Sequence, residues 1–249
     1  MAIEFAEVSL TGDREDNQDR AAVASGEAAS LLVVMDGMGG HAYGARAAET
    51  GCKVMLDLFR AETKPLFDPL GFLHLALGRA HAAIVGIGTR LAVDLRPRAT
   101  CAICLVQNGS AFWAHIGDSR VYLLRRGKVF KRTRDHSHVE FLMREGVITP
   151  DQAQSHPMRN FVECCLGGEP FLPEMTVGLR EPLEANDVLL VCSDGLWGGL
   201  DDSEIGGAFP PARAPLRDEL VRLAERSVSV VGAGSDNTSA AVVRWIGNA

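Results

Sequence analysis

Five aspartates, Asp19, Asp36, Asp118, Asp194 and Asp236, recur along the chain in short turn-forming clusters, and three of them follow directly on apolar runs. Residues 31–35 lead into Asp36, 112–116 into Asp118 and 188–192 into Asp194. Asp, Gly, Asn and Ser favour turns for local backbone reasons, so any one cluster alone reads as a loop. Three acids ending three buried strands read differently, because an ionised carboxylate there is costly unless it is paired or holds a cation. All-oxygen sites of this kind suit hard ions such as Mg2+ or Mn2+. The chain must therefore fold so that distant strand ends meet in one carboxylate centre.

A chain of 249 residues that is 47% apolar can bury a full core. Because the clusters span the sequence, a single domain over residues 1–249 is expected. A formal net charge of -7 opposes attraction to nucleic acid or an anionic membrane, so no partner of either kind is expected. The first ten residues contain Glu4 and Glu7 and lack the basic flank and apolar stretch of a secretion signal. No apolar run is expected to span a membrane. The six cysteines lie mostly in apolar segments, which fits buried thiols in the cytoplasm better than a disulfide framework. Cys101 and Cys104 form a Cys-x-x-Cys pair, but odd spacing on a strand places the two thiols on opposite faces.

Alternation marks a strand over 3–9, and residues 21–24 and 30–35 form a hairpin around Gly26-Glu27. Helical spacing of Ala48, Cys52, Met55 and Phe59, and then of Leu73, Leu77, Ala80, Ile84, Ile87 and Leu91, predicts two amphipathic helices. Residues 100–107, 110–116, 120–125 and 128–131 are expected as strands of one antiparallel meander. A polar stretch over 133–160 looks like a flap or small insertion, with a capping box at Thr149-Pro150-Asp151-Gln152. A strand over 188–192, a helix over 216–227 and a strand over 239–246 complete the chain. Strands and helices come in groups, which indicates layered α+β packing.

Two divalent cations bridged by a carboxylate lower the pKa of a shared water and neutralise oxygen charge at phosphorus. Gly37, Gly39 and Gly40 beside Asp36 permit the close approach that makes a carbonyl a ligand. Arg14, five residues before Asp19, offers a forked, permanently charged clamp for a phosphate dianion.

The ordered clusters are Arg14 with Asn17-Gln18-Asp19, Val34-Met35-Asp36-Gly37-Met38-Gly39-Gly40-His41, Ala114-His115-Ile116-Gly117-Asp118-Ser119-Arg120, Asp135-His136-Ser137, His156-Pro157-Met158-Arg159-Asn160, Cys192-Ser193-Asp194-Gly195 and Asp236-Asn237-Thr238. In this order they resemble the bacterial branch of the metal-dependent protein phosphatases of type 2C, over about residues 8–245. The resemblance implies an α/β/β/α sandwich of two antiparallel sheets, with a flap over about 133–164. It implies a Ser/Thr phosphatase acting through a metal-bridged hydroxide on phosphoproteins, the targets of a cognate Ser/Thr kinase, as a monomer. Asp36 would bridge two Mn2+ or Mg2+ ions and the Gly37 carbonyl would bind the first. Asp194 and Asp236 would bind the second, Asp19 would hold metal-bound water, and Asp118 with Asp194 would bind a third. Arg14 would hold the substrate phosphate.

Some positions depart from the family pattern. Met38 stands where some eukaryotic members carry a histidine assigned as general acid, and methionine donates no proton. Ala99-Thr100-Cys101 replaces a usual Gly-Thr-Thr, and Cys164-Cys165 falls where threonine or arginine is common. His41 is expected to start a helix or touch a ligand rather than bind metal, and His136 and His156 are flap histidines. Arg120 is expected to pair with a nearby acid and Asp135 to be structural. A phosphoprotein-binding module of the same fold with little turnover is the alternative, and a lost metal acid would be its mark. None is lost.

Overall fold

Strands buried on both faces need a layer on each side, and three runs in this chain have that property. Every residue of 101–107 and of 188–192 is buried, as are 29–35. In a computed structural model, which describes residues 1–38, 41–210 and 214–247 without the side chains of His41, Ala42 and Gln154, these runs lie at the centre of a four-layer sandwich.

The chain runs through β1 (Ala2–Leu10), β2 (Asp19–Ser25), β3 (Ala29–Met38), α1 (His41–Ala61) and α2 (Pro69–Gly88), then β4 (Arg98–Ala99), β5 (Cys101–Gln107), β6 (Ser110–Ile116), β7 (Arg120–Arg125) and β8 (Lys128–Arg132). The flap contributes α3 (His138–Arg144) and α4 (Pro150–Gln154), the latter with the expected capping box. After β9 (Leu166–Gly167), β10 (Thr176–Val177) and β11 (Glu181–Pro182) come β12 (Val188–Cys192), α5 (Asp194–Trp197), α6 (Asp202–Gly207), α7 (Leu216–Val231) and β13 (Thr238–Gly247). One sheet has the order β1-β13-β12-β7-β8. The other runs β10-β6-β5-β3-β4-β9, with β2 on β3 and β11 on β6.

Side chains of the central strands divide by alternation into three core layers. Leu32 and Val34 of β3, Ala102, Cys104 and Val106 of β5, Leu189 and Val191 of β12, and Ala241 and Val243 of β13 meet between the sheets. Leu31, Val33, Met35, Cys101 and Ile103 face outward to α1 and α2. Leu190, Cys192, Ala240 and Val242 face outward to α7. Cys101 and Cys104 thus fall in different layers, and all six cysteines are free thiols.

Three expectations are corrected. The meander is split: β6 belongs to one sheet and β7 to the other, because both are buried on two faces and the 117–119 corner carries the chain across the interface. The two-residue strands β4, β9, β10 and β11 lie outside the expected elements, since two residues carry no periodicity. Among the described helices, α2 is long and apolar enough by length and composition to cross a membrane. Its Leu73, Ala76, Leu77, Ala80 and Ile84 pack into the outer core layer beside α1.

Candidate metal centre

The antiparallel register of β2 and β3 sets Asp19 directly opposite Asp36. Like charges so placed destabilise a strand pair. Asp118 occupies the corner between the sheets and is buried, while Asp194 opens α5 just past the end of β12. Asp236 precedes β13, next in the sheet to β12. Arg14, Asp36, Gly37, Asp118, Asp194 and Asp236 all line one cleft of about 260 Å³. Asp19 stands behind it, 1% exposed, accepting a 2.7 Å hydrogen bond from the Ser193 hydroxyl.

Burial makes Asp19, Asp36, Asp118 and Asp194 poor acids. Burial, with the charges of Asp194 and Asp236 added, pushes Asp19 up to about 7 despite the Ser193 bond. Burial also lifts Asp194 to about 6, with Asp236 contributing. Asp36 and Asp118 are raised well above the carboxylate range by burial first, then by neighbouring aspartates. Asp19 Oδ1 and Asp194 Oδ1 are buried without a hydrogen-bond partner. Unpartnered buried oxygens are rare and call for an explanation. Divalent cations supply one: the donor set is all oxygen, and cations would remove the mutual repulsion. Among the described residues no group of three or more His, Cys, Asp or Glu side chains is already arranged to hold a metal ion. The geometry is that of an open cleft, suited to ions that keep several waters.

The glycines after the acids are required by packing. A Cβ on Gly37 would lie 2.1 Å from the Gly44 carbonyl oxygen on α1, and one on Gly195 2.1 Å from that of Asn237. The same close approaches bring Asp36 and Asp194 to the cleft wall. The Gly39-Gly40 pair and the His41 side chain lie outside the described residues, although α1 does begin at His41.

Arg14 is half exposed and donates to Asp236 Oδ2 at 2.7 Å. Its loop is fixed by Asn237, a residue to which the sequence alone assigns no role. Asn237 Oδ1 accepts from the Gln18 N–H at 2.8 Å, and its Nδ2 donates to the carbonyls of Thr11 at 2.8 Å and Asp16 at 3.0 Å. Its signal was its place in the Asp236-Asn237-Thr238 cluster. The Thr100 N–H donates to the Asp36 carbonyl at 2.9 Å. Its neighbours Ala99 and Cys101 are buried in the outer core layer, so that departure from the family pattern is absorbed by packing.

Asn160 and Val162 bring the flap to the cleft, and Met38 lines it too. His136 accepts from the Gly117 N–H and bonds Thr176, and His156 accepts from the Met158 N–H. Neither lines the cleft. Arg120 pairs with Asp135 as expected.

The family profile described as "Protein phosphatase 2C" matches residues 11–233. The chain belongs to the protein phosphatase 2C family. It is 36% identical over 231 residues to the serine/threonine protein phosphatase PstP of Mycobacterium tuberculosis, covering 92% of this chain and 42% of that protein. It thus spans less than half the length of that relative. Protein phosphatase PhpP of Streptococcus pneumoniae is 31% identical over 259 residues, covering 95% of this chain and 96% of PhpP. The PstP crystal structure superposes with a TM-score of 0.83 at 31% identity, covering 99% of this chain and 100% of that one. A PstP catalytic domain in complex with two manganese ions gives 0.80 at 31% identity, covering 97% of each chain. The two-sheet sandwich is therefore the protein phosphatase 2C fold.

Proposed function

We propose that this protein is a metal-dependent protein serine/threonine phosphatase that hydrolyses phosphoserine and phosphothreonine. The observation that carries the reading is the cluster of Asp19, Asp36, Asp118 and Asp194, with Asp19 and Asp118 buried and one oxygen each of Asp19 and Asp194 buried without a partner. Asp36 and the Gly37 carbonyl would hold one Mn2+ or Mg2+, Asp36, Asp194 and Asp236 a second, and Asp118 with Asp194 a third. Bound there, the cations would supply Lewis acidity and an activated water at neutral pH.

The remaining roles fall to the chain itself. Arg14 would exchange Asp236 for the substrate phosphate, using its forked donors. Asp19, fixed by Ser193, would accept a hydrogen bond from water held at Asp36. Asn160 and Val162 of the flap would meet the residues flanking the phosphorylated side chain. Met38 cannot return a proton to the leaving alkoxide, so that proton must come from another group or from water in the cleft. Phosphorylated targets of a cognate Ser/Thr kinase, action as a monomer and a cytoplasmic location complete the reading.

Hydrolysis of an aryl phosphate and of phosphothreonine peptides is the test. Turnover that requires added Mn2+ and disappears in Asp36→Asn is expected, and a folded wild-type chain that turns over neither substrate with Mn2+ would overturn the reading.

A further inference from the structure

Asp118 and Asp194 reach the cleft from different elements, and their charges repel. Arg120 lies two residues from Asp118. Its fork closes on Asp135 at the flap base, Nε to Oδ1 at 2.8 Å and Nη2 to Oδ2 at 2.7 Å, with Nη1 donating to the Tyr122 hydroxyl at 3.0 Å. Its forked donors are thus committed to Asp135 and Tyr122 rather than to either acid.

Trp197 links the two elements. It follows Asp194 by three residues on the single turn of α5, so both side chains leave the same face. Its Nε1–H donates to the backbone carbonyl of Asp118 at 3.0 Å. The Arg120 guanidinium lies over the indole ring, 3.5 Å from its centroid. His136, next to Asp135, donates its N–H to the Gly117 carbonyl at 2.9 Å. Residues 117–120, 135–136 and 194–197 therefore form one bonded unit joining the flap base to both acids.

We propose that Trp197 and Arg120 are positioning residues for the Asp118–Asp194 pair, fixing the separation at which it receives a divalent cation. The inference rests on the metal-dependent reading above. Trp197→Phe keeps an aromatic face for Arg120 but removes the N–H to Asp118. Arg120→Lys keeps the charge but loses the fork and the planar stack. Arg125→Lys is the control: it breaks an equally forked pair with Asp187 at the far end of β7.

The experiment is calorimetric titration of the full chain with Mn2+, alongside the Mn2+ dependence of kcat and KM and a thermal melt of each variant. Trp197→Phe and Arg120→Lys should each weaken the weakest Mn2+ step, which uses both acids, about 10-fold, the usual scale for groups that orient metal ligands, and weaken the tighter steps less, since of the pair only Asp194 serves them. Arg125→Lys should lower the Tm with the wild-type isotherm retained. Variant isotherms that coincide with wild type, as that of Arg125→Lys should, or that weaken equally at every step, would overturn the proposal. A wild-type chain that takes up no Mn2+ would instead overturn the metal-dependent reading on which it rests.

Discussion

Strand β12 has an acid beyond each end, Asp187 buried and Asp194 half-buried, and the fold treats the two in opposite ways. Asp187, just before the strand, is 1% exposed and receives Arg125 Nε at 2.9 Å, Arg125 Nη2 at 2.7 Å and the Glu184 N–H at 2.8 Å. Asp194, just past the other end, keeps an oxygen with no partner. The neighbouring strand β7 repeats the contrast. Arg125 closes on Asp187 at its far end, while Arg120 at its near end turns away from Asp118 to Asp135. A buried carboxylate is tolerated only when something offsets its lost hydration. At the far end an arginine does this within the chain, and at the near end the acids are left for cations.

Exchanging the two ends by mutation should separate stability from activity. Asp36→Asn or Asp194→Asn should lower phosphopeptide hydrolysis by roughly 10² to 10³-fold or more, the scale of losing one electrostatic group at a reacting centre. In chelator neither should lower the Tm, since each relieves repulsion. Asp187→Asn should do the reverse, costing about 2 kcal/mol in denaturant unfolding with kcat retained, because it leaves Arg125 without its charged partner. Arg14→Ala should reduce kcat/KM about 10-fold, the loss of one charge-assisted hydrogen bond. Steady-state kinetics against a phosphothreonine peptide would check this, and unchanged kcat/KM would remove Arg14 from phosphate binding.

The smallest effect is the pH dependence. Folding raises Asp19 to about 7 and Asp194 to about 6, so in chelator the native state favours their protonated forms. Their contribution to stability is complete below the ordinary carboxylate range and is lost as pH rises toward about 7. Cations need the deprotonated forms, so the gain in Tm on adding Mn2+ should increase between about pH 5.5 and about pH 7.5. A pH-independent gain would show that these acids do not titrate with cation binding.

Much of this contrast was legible in the sequence, and its gaps have physical causes. Alternation and helical spacing located the long elements, and the acids after apolar runs located the cleft. The β6–β7 crossing was hidden because a turn at Gly117-Asp118 serves a hairpin and a change of sheet equally well. The facing of Asp19 and Asp36 depends on strand register, which the hairpin turn sets. The Trp197 bond to Asp118 and the Asn237 bonds to the Arg14 loop join residues far apart in the chain. No local pattern announces them.

The central claim is that the near-end acids are left unneutralised to hold cations, and the change in Tm on adding Mn2+ at neutral pH tests it most directly. At a free Mn2+ concentration 100 times Kd, one site stabilises by about 2.7 kcal/mol, which for a chain of this size is about 5 to 10 °C. Wild type and Asp187→Asn should both show that gain, and Asp36→Asn should not. No gain in wild type, or the full gain in Asp36→Asn, would contradict it.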